Sequence, residues 1–369
     1  MLPYFTEQSA NPSSAHSPGR RANDAIENAR EQVAALIGAT TDEIIFTSGA
    51  TESINLAIRG FVERQCHKTK RRRIVITPLE HKAVLETCGR MERQGFEILN
   101  LPVDAAGRVL IDAAAEAIDE NTLLASIQAS NNEIGTLQPI AELVDICHRN
   151  GAVFHCDAAQ SLGKVEVSVA EWGVDLMSFS SHKMYGPKGV GALFVRGGAR
   201  ISVLAPMFDG GGQEHGLRPG TLNTPAIVGF GQASRISVAE LRQENQRIGE
   251  LRNRLEGNIV SISSSIRVNV SVEERLPNTS SILFSGIDAD ALLANASKIA
   301  FSLGSACSSS AISPSHVLKA IGMSDSEAYS TVRFSLGRFT SEADVDFASA
   351  EIASAVEKLD RRETVSDSH

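Results

Sequence analysis

The chain has 369 residues, of which 42% are hydrophobic, 21% charged and 5% aromatic. That is enough apolar material for a sizeable core and enough length for two domains. Lys and Arg number 35 against 44 Asp and Glu, a net charge of −9, which argues against a nucleic-acid or anionic-membrane partner for the surface as a whole. No stretch approaches the roughly 18 apolar residues of a membrane span. The N-terminus lacks the charged-then-apolar pattern of a secretory signal. The five cysteines, Cys66, Cys88, Cys147, Cys156 and Cys307, are odd in number and show no paired metal-ligand spacing. Reduced thiols in a cytoplasm are therefore expected, and no metal site.

The first helix-period segment runs from Ala22 to Ile37. A strand from Glu43 to Thr47 leads into Ser48-Gly49-Ala50-Thr51-Glu52-Ser53, a small-residue turn that opens a helix. Backbone amides and hydroxyls at such a turn suit a phosphate, although similar turns occur with no ligand. The basic run Lys68 to Arg73 (KTKRRR) precedes the strand Arg73 to Thr77, and reads either as a solvated loop or as a docking patch. Further strands are Thr122 to Gln128, Ala152 to Asp157, Asp175 to Ser180 and Val190 to Val195, with a helix over Ile140 to Asn150 closed by Gly151. Cys147 lies in the middle of that helix and Cys156 on a strand, so both thiols are expected to pack. Asp157 ends its strand, where a carboxylate can face a protonated pyridine nitrogen or cap the next turn. In Ser180-Ser181-His182-Lys183-Met184-Tyr185-Gly186-Pro187, a lysine follows directly on a strand. A desolvated amine there can condense with a carbonyl cofactor; it also reads as an ordinary surface lysine.

Strand–helix alternation predicts an α/β fold whose mainly parallel sheet is covered by helices. Around Ala239 the pattern changes to a charged helix over Glu240 to Leu255, shorter alternating runs, and a final helix near Asp344 to Lys358. A large domain over residues 1–239 and a smaller α+β domain over 240–369 are expected, with the first residues able to pack on the smaller one. The polar tail after Leu359 is expected to fray.

The order and spacing of the phosphate-type turn, the strand-end acid and the strand-end lysine resemble the fold-type I pyridoxal phosphate (PLP) enzymes. More closely, the chain resembles the cysteine desulfurases of the class V aminotransferase family. The stretches that carry this are Asn11-Pro12-Ser13-Ser14-Ala15-His16, SGATES at Ser48 to Ser53, Glu80-His81-Lys82-Ala83-Val84 and Asn131-Asn132-Glu133-Ile134-Gly135. The Asp157 and Lys183 segments, Gly210 to Thr221 (GGGQEHGLRPGT), Gly304-Ser305-Ala306-Cys307 and Arg333-Phe334-Ser335-Leu336-Gly337-Arg338 complete it, up to about residue 350.

The resemblance implies PLP-dependent removal of sulfur from L-cysteine, giving L-alanine and a persulfide on Cys307 for a sulfur-acceptor protein, such as an iron–sulfur scaffold or a thiolation enzyme. Lys183 then carries the cofactor, Asp157 pairs with its ring nitrogen, His81 stacks on the ring, and Gln160 bonds the ring hydroxyl. Ala50, Thr51, Ser180 and His182 hold the phosphate, and Thr221 reaches the phosphate of the partner subunit's cofactor in a homodimer. Asn132 and Arg333 clamp the substrate carboxylate. The Gly- and Ser-rich stretch Ser302 to Ser315 reads as a flexible loop on which Cys307 swings. Two departures stand out: the family's usual opening segment has no counterpart before Met1, and His215 stands where relatives often carry Arg. A selenocysteine lyase or aminotransferase of the same branch, or a shortened non-catalytic sulfur carrier, remain as alternatives.

Overall fold

A strand covered on both faces cannot alternate polar with apolar side chains, and Thr122–Gln128 and Leu176–Ser180 are buried at every position. In the computed structural model, which describes residues 1–198, 203–303 and 313–366, both lie inside a seven-stranded sheet. Its strands are β1 (Ile44–Thr47), β2 (Arg73–Ile76), β3 (Glu97–Asn100), β4 (Thr122–Gln128), β5 (Val153–Asp157), β6 (Leu176–Ser180) and β7 (Gly191–Val195), in the order β1-β7-β6-β5-β4-β2-β3. Only β7 opposes the others, so β1, β2, β4, β5 and β6 all end at one edge of the sheet. The mainly parallel α/β sheet expected from the sequence is the one observed.

Helices α1 (Ser17–Ile37), α2 (Ala50–Asn55), α3 (Phe61–Gln65), α4 (Lys82–Glu92), α5 (Ile111–Ala117), α6 (Ile140–Arg149), α7 (Val169–Trp172) and α8 (Thr224–Val260) accompany it. A π-helical turn over Leu56–Gly60 joins α2 to α3. Helix α1 buries Ala22, Ile26, Ala29, Val33 and Ile37, the spacing of one helical face, and stops at Gly38 in the left-handed region. Ile45, Leu56, Phe61, Ile74, Ile76, Val84, Leu176 and Leu193 share a core cluster around the sheet.

The chain divides into two compact units: residues 1–102, 109–129 and 138–241, and residues 103–108, 130–137 and 242–369. The second holds a four-stranded antiparallel sheet of β8 (Ile266–Val268), β9 (Thr279–Phe284), β10 (Ser302–Leu303) and β11 (Thr331–Ser335), ordered β10-β11-β9-β8. Helices α9 (Ala289–Asn295), α10 (His316–Ala320), α11 (Asp325–Tyr329) and α12 (Glu342–Ser366) belong to it. Its core joins Leu251, Leu255 and Ile259 of α8 to Ile282 and Phe284 of β9, Val332 of β11, and Ile352 and Val356 of α12. Within it the Glu256 carboxylate accepts both Nη atoms of Arg275 at 2.7 Å and the Ser280 hydroxyl at 2.7 Å.

Three local readings change. Helix α8 begins at Thr224, well before the charged segment that announced it. Gly229 and Gly231 lower its helical propensity by about 1 kcal/mol each, yet Gly231 has no room for a side chain: a Cβ there would lie 2.6 Å from the Ala29 Cα of α1. The final helix, read as ending near Lys358, continues to Ser366. The arginine half of KTKRRR is tied into the fold. Arg71 donates to the carbonyls of Thr122 and Asn150, Arg72 to those of Cys66 and Thr69, and Arg73 pairs with Glu97 and Asp119. Among the described residues no helix is long and apolar enough to cross a membrane.

Candidate active site

Ligands of open α/β sheets bind beyond the carboxyl ends of the strands, and the candidate residues of the first unit gather at that edge. Thr47, Gly191 and Ser180 share one register row across β1, β7 and β6. A Cβ on Gly191 would come within 2.7 Å of the Gly49 Cα and 2.5 Å of the Phe179 carbonyl oxygen. Only glycine lets the Ser48–Gly49 turn lie on β7, with the Cβ position of Gly49 3.7 Å from Ser180 Oγ. The turn and the end of β6 are therefore neighbours. Ala50 and Thr51 open α2, where the first amides have no intrahelical acceptor. His182 is exposed and its Nδ1 hydrogen-bonds Ser180 Oγ at 2.8 Å. Burial, then the charges of Lys183 and Lys188, lower the pKa of its imidazole.

Asp157 ends β5 in register with Gln128 on one side and Ser178 on the other. Its carboxylate is buried, and Oδ1 accepts the Ala159 N–H at 2.9 Å. Burial raises its pKa, while the Ala159 amide and the charges of His81 and Lys183 act in the opposite sense. The side chains of Asp157, His81 and Lys183 thus lie within electrostatic reach of one another. His81 caps α4 by accepting the Ala83 N–H on Nδ1 at 3.1 Å, which leaves the ring proton of the neutral imidazole on Nε2. Gln160 is half-buried and its Oε1 accepts Lys164 Nζ at 2.8 Å. Lys183 and Thr221 are exposed.

Two buried groups behind this edge escaped the sequence reading. His155 bridges three strands, its Nδ1 on Ser126 Oγ and its Nε2 on Ser178 Oγ, each at 2.8 Å. Burial pushes its pKa down to about 3, so it is a neutral brace. Glu80, fully buried, accepts the Thr77 hydroxyl at 2.7 Å and the Gln128 N–H at 3.0 Å. Burial pushes its pKa up to about 8, against the Thr77 and Gln128 hydrogen bonds, and the nearby Asp157 adds to the rise. Two ion pairs were also missed, because their partners are far apart in sequence. Arg30 meets Glu214 at 2.8 Å, both side chains being nearly buried, and Arg218 meets Glu52 at 2.9 Å. They attach the Gly210 to Thr221 stretch to α1 and to the first turn of α2. In that stretch Glu214 and His215 both adopt the left-handed region, and His215 is exposed.

The donor set of this edge fits PLP. A carboxylate as buried as Asp157 is costly unless a cation meets it, which a protonated ring nitrogen supplies. The start of α2 offers amides and a hydroxyl to a phosphate, and Lys183 offers an amine at the end of β6.

Asn132 and Arg333 come together in the second unit, where Arg333 Nη1 donates to the Asn132 carbonyl at 2.9 Å and Nη2 to Ser302 Oγ at 3.0 Å. Arg333 Nε is buried, and among the described residues it has no hydrogen-bond partner. Cys307 lies outside the described residues. Of the other thiols, burial pushes Cys88 and Cys147 up to about 12 and raises Cys156 well above its ordinary value. None of these three is a thiolate near neutral pH, so none can attack sulfur. Cys66 is half-buried. Among the described residues no cluster of His, Cys, Asp and Glu could hold a metal ion.

The sequence signature of the aminotransferase class-V family covers residues 1–347. Cysteine desulfurase IscS of Methylococcus capsulatus is 47% identical over 360 residues, which is 97% of this chain and 88% of that protein. A solved NifS-like protein superposes with a TM-score of 0.89 at 37% identity, over 96% of this chain and 94% of that one. The structure of SspA in complex with cysteine gives 0.79 at 38% identity, over 92% and 94%. The chain belongs to the class-V aminotransferase family and, within it, to the PLP-dependent cysteine desulfurases.

Proposed function

We propose that this cysteine desulfurase moves the sulfur of L-cysteine onto Cys307 and releases L-alanine, with PLP held by Lys183. The observation that carries this reading is the buried Asp157 carboxylate within electrostatic reach of Lys183 and His81. That SspA was solved with cysteine supports the choice of substrate. PLP, when bound, supplies an electron-withdrawing ring that stabilises negative charge at the substrate Cα.

The chain's own residues divide the remaining work. Asp157 pairs with the ring nitrogen and keeps it protonated. Gln160 offers its amide Nε2 to the ring hydroxyl, since Lys164 occupies its Oε1. His81 stacks on the ring and carries a movable proton on Nε2. Ala50, Thr51, Ser180 and His182 hold the phosphate. Thr221 reaches the phosphate of the partner subunit's cofactor, so the active form is a homodimer. Asn132 and Arg333 clamp the substrate carboxylate. The Arg333 fork is oriented by the Asn132 carbonyl and the Ser302 hydroxyl, and each Nη keeps a second N–H to donate. Lys183 Nζ takes the proton from the substrate Cα.

The thiolate of Cys307 attacks the substrate sulfur. An S–S bond forms as the Cβ–S bond breaks, and the electron pair of that bond stays with carbon. Protonated, that carbon becomes the methyl group of alanine, Lys183 Nζ returns a proton to Cα, and the persulfide remains on Cys307. An acceptor protein, such as an iron–sulfur scaffold or a thiolation enzyme, then takes the sulfur in a reducing cytoplasm.

Incubation with PLP, L-cysteine and a thiol reductant should yield alanine and sulfide in equal amounts. Cys307→Ser should abolish both while retaining PLP, and Lys183→Ala should lose the visible absorbance of the lysine-linked cofactor. Alanine formation undiminished in Cys307→Ser would sink the assignment.

A further inference from the structure

The turn offered to the phosphate contains an acid, which by itself would oppose an anion. Glu52 stands at the third position of α2, next to Thr51, with its side chain 11% exposed. Its Oε2 accepts the Ser48 N–H at 2.8 Å, which folds the turn back onto the helix start. Its Oε1 accepts Arg218 Nε at 2.9 Å. Burial works against the charged form of Glu52, but Arg218 and the Ser48 N–H outweigh it and hold its pKa below the ordinary value. Glu52 is therefore an anion at neutral pH, within one helical turn of the amides of Ala50 and Thr51. Two anions in a partly desolvated site repel strongly unless a cation compensates one of them.

We propose that Arg218 is a positioning residue for the cofactor phosphate, acting through Glu52. It neutralises the carboxylate that shapes the Ser48–Gly49 turn, so that the turn keeps its form and its amides still attract an anion. Arg218 lies three residues before Thr221 in the same stretch, so this ion pair also ties the phosphate turn to the segment assigned to the partner's cofactor. The inference rests on the reading that Ala50 and Thr51 hold the phosphate.

The test is cofactor binding by the full-length chain stripped of PLP, titrated in parallel with PLP and with pyridoxal, which lacks the phosphate. Arg218→Ala exposes the Glu52 charge and should weaken PLP about tenfold or more while leaving pyridoxal within about twofold. Raising the salt concentration should shrink that loss. Adding Glu52→Gln to Arg218→Ala should recover most of the affinity, because the uncompensated charge is gone; a merely structural contact predicts no recovery. Arg218→Lys, which keeps the charge, should stay close to the parent and covers the case in which the alanine variant fails to fold. Unchanged PLP affinity in Arg218→Ala, equal losses for PLP and pyridoxal, or a double variant no tighter than Arg218→Ala would each overturn the proposal. Thr51→Val with His182→Ala separates the two layers. If that pair weakens PLP and Arg218→Ala does not, the ion-pair inference alone fails; if neither does, the phosphate assignment fails with it.

Discussion

Replacing Arg30 by Met keeps the length of the side chain and its packing over Phe46, whose ring centre lies 4.6 Å from the guanidinium carbon, and deletes the charge. Arg30 is 8% exposed and Glu214 7%. The guanidinium donates to both Glu214 oxygens at 2.8 and 2.9 Å, and to the Ile44 carbonyl at 2.8 Å. In the variant the Glu214 carboxylate stays buried, accepting the Phe46 N–H that it already holds at 2.7 Å. Stranding one member of a buried pair costs about 3–5 kcal/mol, and the Ile44 bond adds about 1 kcal/mol. The Glu27 partner is half exposed and contributes little. Spread over a unit of this size, such a loss should lower the melting temperature by about 10 °C. It should also release the left-handed backbone of Glu214 and His215, which costs energy to hold and persists only while the surroundings enforce it. Thermal unfolding of the cofactor-loaded protein, followed by far-ultraviolet circular dichroism, measures this. Arg30→Met combined with Glu214→Leu removes both charges and should be less damaged than Arg30→Met alone. An Arg30→Met variant within about 1 kcal/mol of the parent would refute the reasoning, since a pair this dry cannot lose one charge so cheaply.

The sequence made the inner strands plain, and the reason is physical. Thr122–Gln128 and the strands ending at Asp157 and Ser180 are apolar runs interrupted by polar turns, and their observed bounds fall within about one residue of those read from the pattern. Lys183, Asp157 and the Ser48 to Ser53 turn were legible for a related reason: each stands at the end of a parallel strand, where this architecture opens to ligands. Gly229 and Gly231 hid the first half of α8, because what they gain is close approach, Gly229 to Met1 and Pro187 and Gly231 to Ala29 of α1, a tertiary fact with no local trace. Residues 130–137 fall inside the span 1–239 expected as the large domain, yet they belong to the second unit, where Asn132 meets Arg333 across 201 positions of sequence. The same distance hid Arg30–Glu214, 184 positions apart; either residue alone reads as solvated surface. Cys307 was legible mainly through family resemblance, with the Gly- and Ser-rich stretch around it as physical support, and it lies outside the described residues.

Asp157→Asn keeps the acceptor for the Ala159 N–H but not the charge. PLP should remain bound while cysteine turnover falls by at least about a hundredfold, and turnover within about tenfold of the parent would remove Asp157 from its role. Gly191→Ala drives a methyl group into the backbone of Phe179 and Gly49; it should weaken PLP far more than pyridoxal, and equal weakening would show that the turn before α2 does not hold the phosphate. Glu80→Gln tests the buried carboxyl through stability against pH. The pKa of Glu80 rises from 4.5 to about 8 in the folded chain, so over that range the folded state keeps a proton that the unfolded state releases. Its contribution is therefore full below pH 4.5 and is lost as pH rises towards 8, at up to about 1.4 kcal/mol per pH unit. His155 has the opposite sign: its pKa falls from 6.5 to about 3, so its stabilising effect is lost as pH falls below 6.5. Urea unfolding between pH 6.5 and 8 separates the two, because the difference in slope between the parent and Glu80→Gln belongs to Glu80, while His155 acts alike in both. The parent should lose stability relative to Glu80→Gln across that window; parallel curves for the two proteins would mean that Glu80 is already ionised in the folded chain.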